Sequence, residues 1–359
     1  MSFRNIYWLM RNYFSSRPIY LIQFVTARCN SRCNMCFYWK NIDAAAKEKE
    51  LTLEEMKKIA KNFPGLQQLS IGGGEPFLRE DLPEICEIFS RTCNAQTITI
   101  PTNGLLPEKI CSQFEKILQK CPKSYFRLSL SIDDIGEKHD KIRGVKGNFE
   151  KALETYKKIR SLKKQYKNFN IDVATVLSSY NQDHIKDVFE YVEKNMDADN
   201  HFILLARGNT REKAAKEVQL EKYEELLRWL ASRGSRKENR PFSSILRAIY
   251  EISTEIIIRT EREKRMLLPC VAGRKMLIIS EYGDVYPCEI NNLKFGNMRN
   301  ANFSLDKILN SGNTRAAINK IRKGACPCTF ECAINASIVF NPRTYPSILA
   351  RIIKRKIWP

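Results

Sequence analysis

Residues 20–39 read Tyr20-Leu-Ile-Gln-Phe-Val-Thr26, then Ala-Arg-Cys29-Asn-Ser-Arg-Cys33-Asn-Met-Cys36-Phe-Tyr-Trp39. An apolar, β-branched run ends in three cysteines spaced C-x3-C-x2-C. Thiolates hold iron–sulfur clusters, and a [4Fe–4S] cluster has four irons. Three protein thiolates leave one iron open, and an open position separates a catalytic metal site from a closed structural one. By themselves the residues also admit zinc with a distant fourth ligand, or three unrelated thiols.

Downstream, strand and helix patterns alternate. Thr52 with Glu55 forms a capping box before a helix predicted over Leu53–Asn62. Strands are predicted at 66–71, 95–100, 125–132, 169–177 and 201–205, with helices over 83–90, 107–120, 149–164 and 184–195 between them. With residues 20–26 this makes six strand–helix alternations, the pattern of a parallel sheet covered by helices. Right-handed connections curl such a sheet toward a barrel.

Chemistry-bearing residues fall where these strands end, the functional face of such barrels. Gly72-Gly-Gly-Glu-Pro76 follows the second strand; glycine lets backbone approach a ligand closely. Thr102-Asn103-Gly104 follows the third and also reads as an ordinary turn. The fourth ends Ser129-Leu-Ser131-Ile-Asp133, and His139-Asp-Lys-Ile-Arg143-Gly144 comes next. A guanidinium such as Arg143 grips a carboxylate through two parallel hydrogen bonds.

The cysteine motif, the aromatic Phe37 after it and these strand-end segments together resemble the radical S-adenosylmethionine (radical SAM) superfamily. The resemblance implies an α/β fold, a partial (β/α)6 barrel. It also implies that the open iron chelates the amino and carboxylate groups of S-adenosylmethionine. On the same ground Gly73, Gly74, Glu75 and Pro76 line the site of the methionyl amino group, and Asn103 lies near the cofactor. Ser131 and Arg143 bind its carboxylate, and Val176 or Leu177 contacts adenine. The implied reaction is reductive cleavage to a 5′-deoxyadenosyl radical, which abstracts hydrogen from a substrate: a lipid, a peptide or protein, or a small molecule. A reducing partner such as flavodoxin or ferredoxin would supply the electron. No catalytic side chain is assigned. His139, His184 and His201 are isolated, and no nucleophile–histidine–acid set or HExxH motif is present.

A second cysteine group begins at Cys270. A hairpin over 276–287, turning at Glu281–Gly283, would bring Cys270 and Cys288 together; Cys326, Cys328 and Cys332 follow. C-x12-G-x4-C and C-x3-C resemble the auxiliary-cluster extension called SPASM, or its shorter relative twitch. Five cysteines suffice for one more [4Fe–4S] cluster. Cys270, Cys288 and Cys332 are expected ligands, with Cys328 or Cys326 as the fourth; a zinc knot is the other reading. A fully ligated auxiliary cluster would relay electrons rather than bind substrate.

The expected organisation is a basic amphipathic segment (1–19), a core barrel (20–212), a helical connector (213–268), a small Cys-rich auxiliary-cluster domain (269–340) and a basic amphipathic tail (341–359). With 43% hydrophobic and 28% charged residues the chain reads as globular. Its twelve cysteines, without a signal-like start, read as reduced thiols in the cytoplasm. Cys86, Cys93, Cys111 and Cys121 read as packing residues. A net charge of +20 calls for an anionic partner. From Lys307 to Pro359 there are ten Lys/Arg and one acid, Glu331. The basic, apolar ends point to an anionic membrane surface at the inner face, or to an acidic peptide. Nucleic acid is disfavoured, because no set of stacking aromatics accompanies the charge. An electron carrier or scaffold with two metal sites is the competing function, and it would have no use for Gly73–Pro76 or Arg143.

Overall fold

The computed structural model describes residues 13–15, 17–45, 49–233, 243–291, 293–324 and 326–357. Most of the amphipathic segment 1–19 therefore lies outside the described residues. Six strands run parallel and in chain order: β1 (Tyr20–Thr26), β2 (Gln68–Gly73), β3 (Thr97–Thr102), β4 (Tyr125–Ser131), β5 (Phe169–Leu177) and β6 (Asn200–Leu205). Helices α1 (Trp39–Asp43), α2 (Leu53–Ala60), α3 (Leu82–Cys93), α4 (Pro107–Lys120), α5 (Glu137–Arg143), α6 (Asn148–Ser161) and α7 (Ile185–Asn195) connect them. This is the α/β partial barrel that the alternation predicts.

The strands divide their two faces by period two. Ile98, Ile100, Phe126, Leu128 and Leu130 are buried beneath the helices with Phe89, Phe114 and Ile117. The other face is polar. Tyr20 and Ser70 share a hydroxyl hydrogen bond of 3.1 Å, and Gln68 donates to Thr99 at 3.0 Å. Arg127 and Asn200 both donate to Asp172, each at 2.6 Å. Asp172 is fully buried, whereas Arg127 keeps 30% of its side chain exposed, so solvent reaches part of this face.

Local chemistry sets the helix ends. The Thr52–Glu55 capping box forms in both directions, at 3.3 and 2.9 Å. α2 stops at Ala60, short of the predicted Asn62, because the Asn62 amide turns back onto the Lys58 and Ile59 carbonyls. α3 runs on to Cys93 and ends at Asn94 in the left-handed region, φ 48°. Cys86, Cys93 and Cys121 are buried and Cys111 is half-buried, all against this core.

After β6 come α8 (Leu220–Ser232) and α9 (Ser243–Glu263), then the hairpin β7 (Met276–Ile279) and β8 (Asp284–Tyr286), and the short β9 (Gly296–Asn297). β7 pairs parallel to β1, Tyr20 opposite Met276 and Gln23 opposite Ile279, so one nine-stranded sheet runs β6-β5-β4-β3-β2-β1-β7-β8-β9. Parallel pairing across 256 residues, from Tyr20 to Met276, has no local signature; only the buried run Met276-Leu-Ile-Ile279 hints at a strand covered on both faces. The helices α10 (Leu305–Leu309), α11 (Gly312–Arg322), α12 (Glu331–Val339) and α13 (Tyr345–Ile357) complete the chain. Among the described residues no helix is long and apolar enough to cross a membrane.

Candidate active site

The cysteine loop leaves the end of β1 and is clamped from two sides. Arg32 and Asn34 N–H groups donate to the Arg143 and Ile142 carbonyls at the end of α5, at 3.1 and 3.0 Å. Arg211 and Glu212 N–H groups, beyond β6, donate to the Cys36 and Asn34 carbonyls at 3.0 and 2.9 Å. Gly144 closes α5 at φ 68°, and a Cβ there would meet the Arg32 carbonyl at 2.8 Å, so this approach needs glycine.

Burial raises all three thiols: Cys29 to about 11, Cys36 to about 12, and Cys33 by an amount that Arg143 limits. Cys29 and Cys36 also feel the charge of neighbouring thiols in the trio. The Ser31 N–H donates to Cys29 Sγ at 3.4 Å, and Arg143 Nη1 points to Cys33 Sγ at 3.7 Å. Three thiols on one short loop, served by N–H and guanidinium donors, fit a cluster held by thiolates. Binding iron would displace their protons, so loading depends on pH.

Gly73 and Gly74 lie against this loop. Gly73 sits at φ 107°, and a Cβ on Gly74 would stand 2.1 Å from the Arg28 carbonyl oxygen. The Gly74 and Glu75 N–H groups donate to the Thr26 and Arg28 carbonyls at 2.8 and 2.9 Å. The fully buried Glu75 carboxylate accepts from the Phe77 N–H (3.2 Å), the Thr102 hydroxyl (3.0 Å) and the Asn103 N–H (2.8 Å). Burial pushes its pKa up to about 7, against the pull of these donors. Pro76 opens the short 3-10 turn that follows. The Asn103 amide reaches Asn30 Oδ1 at 2.7 Å and Ser31 Oγ at 3.1 Å. Glu75 and Asn103 thus tie the ends of β2 and β3 to the segment between Cys29 and Cys33.

Arg143 is buried and its Nε donates to Asp133 Oδ2 at 2.5 Å. Asp133, two residues beyond the sequence-predicted Ser131, also accepts the Val176 N–H at 2.8 Å. Ser131 closes β4 half-buried, and among the described residues it does not bond Arg143. Val176 packs with Met35, Ile142 and Cys33, whereas Leu177 faces the helices α8 and α9.

The second cysteine group adjoins the first. Cys29, Cys36, Cys270, Cys288, Cys328 and Cys332 all pack on one apolar body that includes Ile22, Phe24, Tyr38, Ile278 and Phe330. Cys270, Cys288, Cys326 and Cys328 stand within electrostatic reach of one another. Ala272 and Asn291 N–H groups donate to Cys270 and Cys288 sulfurs at 3.4 and 3.3 Å. Cys332, in the first turn of α12, has Glu289, Arg207 and the Tyr20 hydroxyl as its polar neighbours. This thiol-rich donor set also fits an iron–sulfur cluster. Among the described residues no three Cys, His, Asp or Glu side chains close on a single-ion position.

Arg207 joins the two regions and was not legible in the chain. It donates to Glu331 at 2.9 Å and to Glu289 at 3.1 Å, and its guanidinium lies 4.7 Å from the Phe330 ring centre and 5.9 Å from that of Phe37. The available signal was an acid beside a cysteine of the second group, Glu289 after Cys288 and Glu331 before Cys332.

The chain resembles known proteins in both of its parts. The sequence model of the radical SAM superfamily matches residues 24–192, and that of an iron–sulfur cluster-binding domain, SPASM, matches residues 270–333. An AdoMet-dependent heme synthase of Oleidesulfovibrio alaskensis is 27% identical over 295 residues, 78% of this chain and 71% of that protein. A GTP 3′,8-cyclase of Aquifex aeolicus is 30% identical over 195 residues, 52% of this chain and 57% of the cyclase, so the likeness to it spans little more than half of either protein. Among solved structures, anSMEcpe with bound AdoMet superposes with a TM-score of 0.61 at 16% identity, covering 94% of this chain and 96% of that one. Streptococcus suis SuiB bound to its precursor peptide SuiA gives 0.58 at 17%, covering 88% and 70%. At such identities the likeness is one of fold. The two matched domains, the partial barrel and the two thiol groups converge: this chain is a radical SAM superfamily enzyme with a SPASM domain, and its cofactors are [4Fe–4S] clusters and S-adenosylmethionine.

Proposed function

We propose that the site at the ends of β1–β4 binds S-adenosylmethionine for reductive cleavage, with a lipid or a peptide as the substrate class. When bound, the clusters supply an electron to the sulfonium, which yields a 5′-deoxyadenosyl radical able to take a substrate hydrogen, and an auxiliary acceptor or donor for the substrate electron. Cys29, Cys33 and Cys36 would hold the first cluster. Gly73–Pro76 would line the site of the methionyl amino group with Asn103 near the cofactor, and Ser131 and Arg143 would bind the carboxylate. In place of the expected Cys270, Cys288 and Cys332, the mutual nearness of Cys270, Cys288 and Cys328 favours these three as holders of the second cluster, with Cys326 or Cys332 as the fourth ligand.

The observation that carries this reading is the convergence of Glu75, Asn103 and Arg143 on the three-cysteine loop. The chain's own residues do three things. The Glu75–Asn103 bonds fix the loop against the strand ends. Asp133 orients Arg143. The apolar body around Phe24, Tyr38 and Phe330 excludes water between the two thiol groups. A low-potential donor of the flavodoxin or ferredoxin type would supply the electron, and attachment to the inner face of a membrane belongs to the same proposal.

The test is anaerobic. Reconstituted protein with dithionite and S-adenosylmethionine should release 5′-deoxyadenosine and methionine. Failure to do so with full iron loading overturns the reading. Cys270→Ala should still release 5′-deoxyadenosine while losing the substrate product; unimpaired product formation would remove the electron relay from the proposal.

A further inference from the structure

α13 wears its apolar residues on the outside. Tyr345, Leu349 and Ile353, four residues apart on one face, are 41%, 57% and 46% exposed, and Pro346 and Ala350 beside them are exposed too. Its inward residues are Ser347, Ile348, Arg351 and Ile352. Arg351 pairs with both carboxylate oxygens of Glu255 on α9 at 2.6 Å and with Ser347 Oγ at 2.5 Å. Ile348 joins the core of α9 and α12. A surface helix ordinarily does the reverse, burying its apolar stripe and exposing its charges. The packing on α9 fixes which way α13 faces, so the exposed stripe is a property of the tertiary structure and not of a loose tail.

The Tyr345 hydroxyl donates to the Val339 carbonyl, and neighbouring elements also expose apolar residues. Val339, at the end of α12, is 40% exposed, and α9 exposes Leu246 (65%) and Tyr250 (37%). The charge on α13 itself has a single sign, and the acids nearest it, Glu251 and Glu255 of α9, pair with Arg351. Arg343 and Lys354 are exposed at its two ends, and the sequence continues Arg355-Lys356-Ile357-Trp358. No acid occurs after Glu331.

We propose that α13 docks the enzyme on an anionic lipid bilayer, with Tyr345, Leu349 and Ile353 entering the interface and the flanking basic residues meeting the headgroups. A helix that lies in the membrane plane needs an apolar face and cationic flanks, and anionic lipid supplies the matching hydrocarbon and charge together. An acidic peptide would satisfy the charge but leave a straight apolar stripe half covered. A second copy of this chain would set a basic flank against a basic flank. The inference rests on the membrane attachment proposed above and names its surface; its failure is distinguishable from failure of S-adenosylmethionine cleavage, because docking is read without reductant or cofactor turnover.

The experiment is vesicle flotation of the reconstituted full chain with phosphatidylglycerol-containing or pure phosphatidylcholine vesicles. It is run at low and high salt, on wild type and on Leu349→Asp/Ile353→Asp. Both positions are exposed, so thermal unfolding of the variant should match wild type and certify its fold. Wild type should float with the anionic vesicles, with binding reduced at high salt and absent on phosphatidylcholine. The variant should float at least tenfold less. Equal flotation of variant and wild type, or no flotation of wild type, overturns the proposal. So does sedimentation showing a dimer that the variant dissolves while vesicles stay unbound; the stripe would then be a subunit interface.

Discussion

Arg143 serves Asp133 and Cys33 at once, with Nε 2.5 Å from the Asp133 carboxylate and Nη1 3.7 Å from the Cys33 sulfur. Burial works against the guanidinium, yet Asp133 and the neighbouring thiols more than offset it, so Arg143 stays charged. Arg143→Ala should leave the Asp133 carboxylate buried and unpaired, at a cost of about 3–5 kcal/mol. Arg143→Lys keeps the charge but not the planar fork. It should fold and release 5′-deoxyadenosine at least ~10-fold more slowly, the size of one lost charge-assisted hydrogen bond. Denaturant titration and product assay separate the two variants.

Glu75 holds three donors with one carboxylate. Glu75→Ala should leave the Phe77 and Asn103 N–H groups and the Thr102 hydroxyl buried without this acceptor, and lower stability by about 2–4 kcal/mol. The S-adenosylmethionine KM should rise with it, because Asn103 loses its anchor. An unchanged denaturation midpoint would contradict this account.

Gly74 and Gly312 make a matched pair. A Cβ at Gly74 meets the Arg28 carbonyl at 2.1 Å, whereas Gly312, in the first turn of α11, has nothing within 4 Å and no positive φ. Gly74→Ala should displace the loop and abolish S-adenosylmethionine cleavage. Gly312→Ala should be neutral or stabilise the protein by about 0.5–1 kcal/mol through the unfolded chain. Thermal melts and the cleavage assay report both.

His201 is half-buried, with its ring stacked 4.5 Å from Phe189 and Nε2 at 2.7 Å from the Thr175 hydroxyl. Burial lowers its pKa from 6.5 to about 3. The folded state therefore resists protonation that the unfolded state accepts. This contribution to stability is intact above the unfolded value and is lost as pH falls from 6.5 toward 3. Between pH 6.5 and about 5 the share lost by His201 should be about 2 kcal/mol, read as the difference between wild type and His201→Gln, because His139 has the same sign over this window and Glu75 and Glu281 the opposite one. Urea midpoints across this window decide it.

Iron counts test the ligand sets. Two [4Fe–4S] clusters give about eight irons per chain. Cys29→Ala should fall to about four and lose cleavage. Cys270→Ala, Cys288→Ala and Cys328→Ala should fall to about four and keep it. The same count on Cys326→Ala and Cys332→Ala identifies the fourth auxiliary ligand.

The chain by itself determined the six-fold alternation, the three-cysteine loop, the Gly72–Pro76 segment and the two-part cysteine group. These are local patterns: hydrophobic period, capping box, glycine run and thiol spacing are written within a few residues. Only the tertiary structure decided that β7 joins β1 in one sheet, that Asp133 is the partner of Arg143, and that Arg207 pairs with Glu289 and Glu331 of the second thiol group while lying near Phe37 of the first. Each of these couples residues through burial and charge, and the 10-residue gap from Asp133 to Arg143 carries no more sequence signal than the 124 from Arg207 to Glu331. The same holds for α13. Its sequence is amphipathic in either orientation, and the Arg351–Glu255 pair is what turns the apolar stripe outward.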